Sequence, residues 1–127
     1  MIEDLCILLV GHCVGDYPMQ SDFLAKFKGE NNLILSIHCI LYTACLLIAL
    51  LFTSSASRVY DYRMLIIAII FITHFVIDKW KCVVIARLPK GELTQSVAER
   101  NKRVTLWCYY IDQALHMIIN VAIYAFI

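Results

Sequence analysis

Charge is scarce in this chain. Asp, Glu, Lys and Arg make up only 17% of its 127 residues against 61% hydrophobic ones, which excludes an ordinary water-soluble domain and marks a chain built for a bilayer. An excess of charge of one sign is missing too. With a net charge of +1 and no run of Lys or Arg interleaved with aromatics, there is no footprint for nucleic acid, and none is expected as a partner. There are six cysteines but no C-x-x-C pair, so a dithiol redox enzyme lacks its main signature. Cys6, Cys13, Cys39, Cys45, Cys82 and Cys108 read as small buried hydrophobes. A cleavable leader is not expected, because Glu3 and Asp4 stand where positive residues belong and no A-x-A site follows. Nor is there a G-x-S-x-G nucleophile elbow or an internal repeat.

What the chain does have is four hydrophobic segments, at about 5–24, 33–52, 64–86 and 104–127. About 20 helical residues cross a hydrocarbon core of about 30 Å. The expected fold is therefore all-α: a single domain over 1–127, an integral membrane four-helix bundle with up-down topology. Its first helix is short or kinked, since Pro18 falls inside the first segment. Ser21 and Asp22 suit the cap of a short interfacial helix through "FLAKFK". The intervening links, 25–31, 53–63 and 87–103, read as loops. Lys26 and Lys28 in the first, and Arg87, Lys90, Arg100, Lys102 and Arg103 in the third, assign these two links to the cytoplasm. The chain is then a multi-pass protein of the inner (cytoplasmic) membrane with both termini outside the cytoplasm. Trp80 and Trp107 suit the interface on the cytoplasmic side.

Each segment carries one histidine with a polar partner four residues away. His12 pairs with Asp16, His38 with Tyr42, His74 with Asp78 and His116 with Asp112, and a separation of four places both members on one helix face. Gln20 and Asn120 extend the first and last of these faces, and Gln113 stands beside Asp112. Counted from the links, these residues lie at similar depth, so they are expected to meet in one layer in the cytoplasmic half. The outer half reads as wholly apolar.

An ionisable group facing hydrocarbon costs about 3 kcal/mol on insertion scales. The layer must therefore face itself, water or a metal. Neutral imidazoles with carboxylates are the ligand set of zinc, iron and manganese. The expected metal ligands are His12, Asp16, His38, His74, Asp78 and His116, for one or two divalent ions, with Gln20, Tyr42 and Gln113 orienting them. Asp112 is the candidate catalytic base or a further ligand. Lys81 either snorkels to headgroups or holds the phosphate of a substrate. The bland alternative is a set of buried hydrogen-bonding groups that fix helix packing. Gly11 and Gly15 form a small-x-x-x-small face through which the first helix can approach a neighbour.

"GHCVGDYPMQ", "SIHCILYT", "THFVIDKWK" and "YIDQALHM" together resemble the small integral-membrane family of phages and bacteria catalogued as domain of unknown function 3307. Its pattern is G-H-x-x-x-D-[FY]-x-x-Q, H-x-x-x-Y, T-H-x-x-x-D-x-x-K and D-Q-x-x-H. Matching positions are Gly11, His12, Asp16, Tyr17, Gln20, His38, Tyr42, Thr73, His74, Asp78, Lys81, Asp112, Gln113 and His116, with Cys13 and Val14 in place of larger aliphatics. The chain is more distantly similar to predicted membrane-bound metal-dependent hydrolases, which is an analogy at the level of fold.

The leading expectation is a membrane-embedded metal-dependent hydrolase acting on a phosphoester or lipid-linked substrate from the cytoplasmic side. Three alternatives stay open: ion or proton transport through the same His/Asp cluster, haem binding by histidines on four helices, and a non-catalytic phage membrane protein acting by protein contact. The bilayer is the expected partner, and an oligomer is left open.

Overall fold

The computed structural model describes residues 2–17 and 21–127, the side chains of Ala25 and Lys26 excepted. Five helices follow in order: α1 (Ile2–Asp16), α2 (Asp22–Phe27), α3 (Asn32–Leu51), α4 (Ala56–Ala86) and α5 (Gln95–Phe126). No strand occurs among the described residues. The local sequence explains each boundary. Glu3 and Asp4 occupy the first turn of α1, where the helix dipole favours negative charge. The helix stops at Asp16, short of the expected span to residue 24, because a residue before proline, here Tyr17, is steered away from helical geometry. As expected, Ser21 caps the short α2, its Oγ accepting the Leu24 N–H at 3.3 Å. Asn31 caps α3 by accepting the Leu33 N–H at 2.8 Å. Gly91, with φ +93, turns the chain between α4 and α5.

Two links are shorter than their charge suggests. Residues 56–63, expected in the second link, form the first two turns of α4, and residues 95–103, expected in the third, open α5. Their alanines, arginines, Glu99 and Lys102 are good helix formers, and charge does not end a helix where water is at hand.

The four long helices form a ring. α1 packs on α3, α3 on α4, α4 on α5, and α5 back on α1, while α2 lies against α3. Successive long helices run antiparallel: His12 meets Tyr42, Lys81 meets Asp112 and Asp4 meets Tyr124. α1 is drawn close to α3 by its glycines. A Cβ on Gly11 would collide with the Cβ of Ala49, and one on Gly15 would lie 3.2 Å from the Tyr42 Cα.

Away from the first and third links, the interior is apolar, with Leu8, Leu46, Leu50, Ile66, Ile70 and Ile123 packed together. The end of that half is not wholly apolar, contrary to expectation. Asp4 accepts hydrogen bonds from the Ser54 backbone N–H at 2.9 Å, the Ser54 hydroxyl at 3.1 Å and the Tyr124 hydroxyl at 2.8 Å. These donors, the Ser54 N–H first among them, hold its carboxyl well below the usual carboxylate range. The contact ties the start of α1 to the α3–α4 turn and to the end of α5.

The outside of the bundle is the reverse of a soluble protein. Val10, Leu33, Ile40, Ile48, Ile72, Val76 and Ile118 are exposed, while His12, Asp16, Lys28, His38, His74, Asp78, Lys81, Asp112 and His116 are buried. α3 and α4 are long and apolar enough to cross a membrane, with mean hydropathy 2.4 and 1.7. α1, at 15 residues, is short for a span, and Asp112, Gln113, His116 and Asn120 make α5 more polar than α3 and α4.

Candidate metal centre

The polar layer is assembled from one face of each long helix. On α4, His74, Asp78 and Lys81 follow one another at spacings of four and three, and on α5 Asp112, His116 and Asn120 at spacings of four. Such spacings stack side chains along one stripe, and each stripe here points into the ring. His38, His74, Asp78 and Asp112 are 0% exposed.

Four atoms converge at the centre: Asp16 Oδ1 from α1, His38 Nε2 from α3, and His74 Nε2 and Asp78 Oδ2 from α4. The two imidazole nitrogens are 3.1 Å apart. His38 Nε2 lies 3.5 Å from Asp16 Oδ1 and 3.3 Å from Asp78 Oδ2. His74 Nε2 lies 4.0 Å and 3.8 Å from the same oxygens. Metal–ligand bonds of about 2.0–2.1 Å at tetrahedral angles give ligand–ligand edges of about 3.4 Å. Those five edges bracket that value, so the set fits one divalent ion after shifts of a few tenths of an ångström. Asp16 Oδ1 receives no hydrogen bond from the described residues, although a buried carboxylate oxygen ordinarily finds a donor. A cation is the partner its position suits.

A second group, Asp78, Asp112 and His116, shares Asp78 with the first. Lys81 takes up much of its charge, donating at 2.7 Å to Asp78 Oδ1 and 2.8 Å to Asp112 Oδ2. Among the described residues, Asp112 Oδ1 and both ring nitrogens of His116 have no hydrogen-bond partner, and Asp112 Oδ1 stands 3.8 Å from His116 Nδ1. Lys81, expected at headgroups or on a substrate phosphate, is instead buried between two carboxylates. Three carboxylates, Asp16, Asp78 and Asp112, face two ammoniums, Lys28 and Lys81, which leaves one negative charge when the histidines are neutral.

His12 stands to one side of both groups. Its Nδ1 meets the Tyr42 hydroxyl at 2.8 Å and its Nε2 the Gln113 Oε1 at 2.9 Å. Gln113 Nε2 donates onward to Asp16 Oδ2 at 2.8 Å, and Asn120 Nδ2 donates to the Tyr42 hydroxyl at 3.0 Å. Because the Gln113 oxygen can only accept, His12 carries its proton on Nε2, and Nδ1 accepts from the Tyr42 hydroxyl. The chain Asn120, Tyr42, His12, Gln113, Asp16 then runs in one direction and ends on a carboxylate of the four-atom set. Both ring nitrogens of His12, expected as a ligand, are thereby engaged in hydrogen bonds, and neither is among the converging atoms.

Tyr42 and Gln113 are both members of the hydrogen-bonded chain from Asn120 to Asp16, while Gln20 lies outside the described residues. Two groups escaped the sequence reading. Lys28, read only as a basic residue of a link, is buried, and its ammonium donates at 2.8 Å to Asp78 Oδ2 and lies 3.4 Å from His38 Nε2. The Asp4 cluster at the far end is the other. The single hint for Lys28 is the Ser21 cap, which starts the helix that folds Lys28 back over the layer. The rings of His74 and His116, with centroids 4.3 Å apart, and those of His38 and His74, at 5.1 Å, stand too close together to hold a haem between either pair.

The family described as Protein of unknown function (DUF3307) matches residues 5–127, nearly the whole chain, and the chain belongs to it. No curated protein and no solved structure matches.

Proposed function

We propose that this member of the family is a membrane-embedded, divalent-metal-dependent hydrolase, acting on a phosphoester or other anionic lipid-linked substrate from the cytoplasmic side. The observation that carries the reading is the convergence of Asp16 Oδ1, His38 Nε2, His74 Nε2 and Asp78 Oδ2 from three helices in a buried layer. An apolar exterior around a polar interior supports placement in a bilayer. The basic first and third links support the cytoplasmic side as the one from which the layer is reached.

A divalent ion in that set would supply a water of lowered pKa and a Lewis acid for a developing oxyanion. The protein's own groups divide the remaining work. Asp112 Oδ1, buried and without a donor among the described residues, is placed to take a proton, which makes it the base. Lys81 keeps Asp78 and Asp112 from repelling each other. The His12 chain fixes the rotation of the Asp16 carboxylate. Transport is served less well, since the apolar cluster of Leu8, Leu46, Leu50, Ile66, Ile70 and Ile123 fills the ring beyond the layer.

The test is elemental analysis of the purified full-length protein in detergent. The reading expects at least one tightly held divalent ion per chain, lost in His38→Ala and Asp78→Asn. A protein that retains no ion after dialysis against zinc or manganese overturns it, and so does one whose ion survives both substitutions.

A further inference from the structure

Lys28 is unlike the other charged groups of the layer in coming from the short helix α2, at whose C-terminal cap it stands. Its ammonium touches two of the four converging atoms, Asp78 Oδ2 at 2.8 Å and His38 Nε2 at 3.4 Å. A neutral imidazole nitrogen offers one lone pair, which can accept a proton donor or bind a metal but not both. An ammonium and a divalent ion drawn to the same two atoms would also stand within about a bond length or two of each other, where like charges in a buried site repel strongly. The two occupants exclude each other.

We infer that Lys28 is a displaceable internal cation: a divalent ion entering the set of Asp16, His38, His74 and Asp78 drives its ammonium out and frees it for an anionic oxygen of the substrate. This rests on the metal reading above and adds to it the group that meets the anion. The fold suits such an exchange. His38 and Asp78 sit on helices of 20 and 31 residues, but Lys28 rides on one of six, which packs on α3 and is capped by a single serine hydroxyl. A helix that short has little stability of its own, so the residue at its C-terminal cap can turn away without disturbing the ring. The charge balance changes to match: with Lys28 inside, the layer carries one net negative charge, and with a divalent ion in its place the three carboxylates are balanced by the ion and Lys81, so the displaced ammonium is left as the positive group that an oxyanion can meet.

Manganese titrated into the full-length protein in detergent tests the exchange, since it has little affinity for the six thiols. Lys28→Gln removes the competing cation and is expected to bind manganese at least about tenfold more tightly than wild type, the size of one unit of electrostatic pK shift. Inorganic phosphate is expected to bind the manganese-loaded wild type more tightly than the loaded variant. In the wild type, manganese should speed tryptic cleavage after Lys28, read by mass, and this arm stands even where the variant does not fold. Equal or weaker manganese binding by Lys28→Gln, or cleavage after Lys28 that ignores manganese, overturns the exchange while leaving the metal site standing. Unchanged phosphate binding overturns the role in anion binding. Failure of both proteins to bind manganese or zinc overturns the metal reading and this inference together.

Discussion

His74 lies flat against Tyr42, with ring centroids 3.7 Å apart and planes 17° from parallel. The same tyrosine donates its hydroxyl proton to His12 and accepts from Asn120. One side chain thus supports a converging ligand by its face and the Asp16-orienting chain by its edge.

Those two roles separate in Tyr42→Phe. The stack is kept, but His12 and Asn120 each lose a buried partner, which costs about 1–3 kcal/mol for each group left unsatisfied. Thermal unfolding in detergent should show a lowered midpoint, with metal still bound. Loss of the metal together with an unchanged midpoint would contradict the assignment.

Histidines that look alike in sequence should behave differently. His38→Ala or His74→Ala removes a converging nitrogen and is expected to abolish stoichiometric metal. His12→Gln disturbs only the orientation of Asp16 and should weaken binding about 10–100-fold, the range typical of orienting partners. Isothermal titration with zinc or manganese ranks the three. His12→Gln losing all metal would make His12 a ligand after all.

The contact of α1 with α3 is set by Gly11. Gly11→Ala places a methyl group against the Cβ of Ala49, and overpacking of this kind costs about 1–3 kcal/mol. Ala49→Gly should restore much of that loss in the double variant. The check is a double-mutant cycle of unfolding free energies; additive single effects would mean that the two residues do not meet.

Asp4 offers a pH test at the opposite end of the bundle. Its carboxyl is held below the ordinary value by the Ser54 N–H and the Tyr124 hydroxyl, so the stabilisation it gives is fully present above an unfolded pKa of about 3.9 and is lost as pH falls below that towards the folded value. Thermal midpoints recorded from pH 3 to 7 should fall at the acid end in wild type. The fall should be smaller in Asp4→Asn, whose midpoint is lower at neutral pH. Parallel curves for the two proteins would rule Asp4 out as the source.

The helix faces were legible because His/Asp spacings of four have only one meaning on a helix, and equal depth puts antiparallel neighbours in register. His38, His74, Asp78, Asp112 and His116 come together as that argument requires. The position of His12 was not legible, since an imidazole at the right depth can turn either nitrogen to a neighbour. Its direction depends on the rotation of α1, which the approach of Gly11 and Gly15 to α3 determines. Lys28 was hidden because its position depends on the fold-back of α2, a non-local event that no periodicity records. Helix ends at Ala56 and Gln95 were missed because polarity marks where hydrocarbon stops, and a helix continues past that plane whenever its own residues favour it.

Asp78 belongs to both groups of the layer, and each of its oxygens is held by a different lysine, Oδ2 by Lys28 and Oδ1 by Lys81. A change in what one oxygen holds alters the charge felt by the other across a single carboxylate. The two halves of the layer are therefore thermodynamically linked, and occupancy of one is expected to shift the affinity of the other. By the same linkage, binding curves for a second cation should depart from a simple hyperbola, and Asp78→Asn should abolish that departure together with the sites it joins.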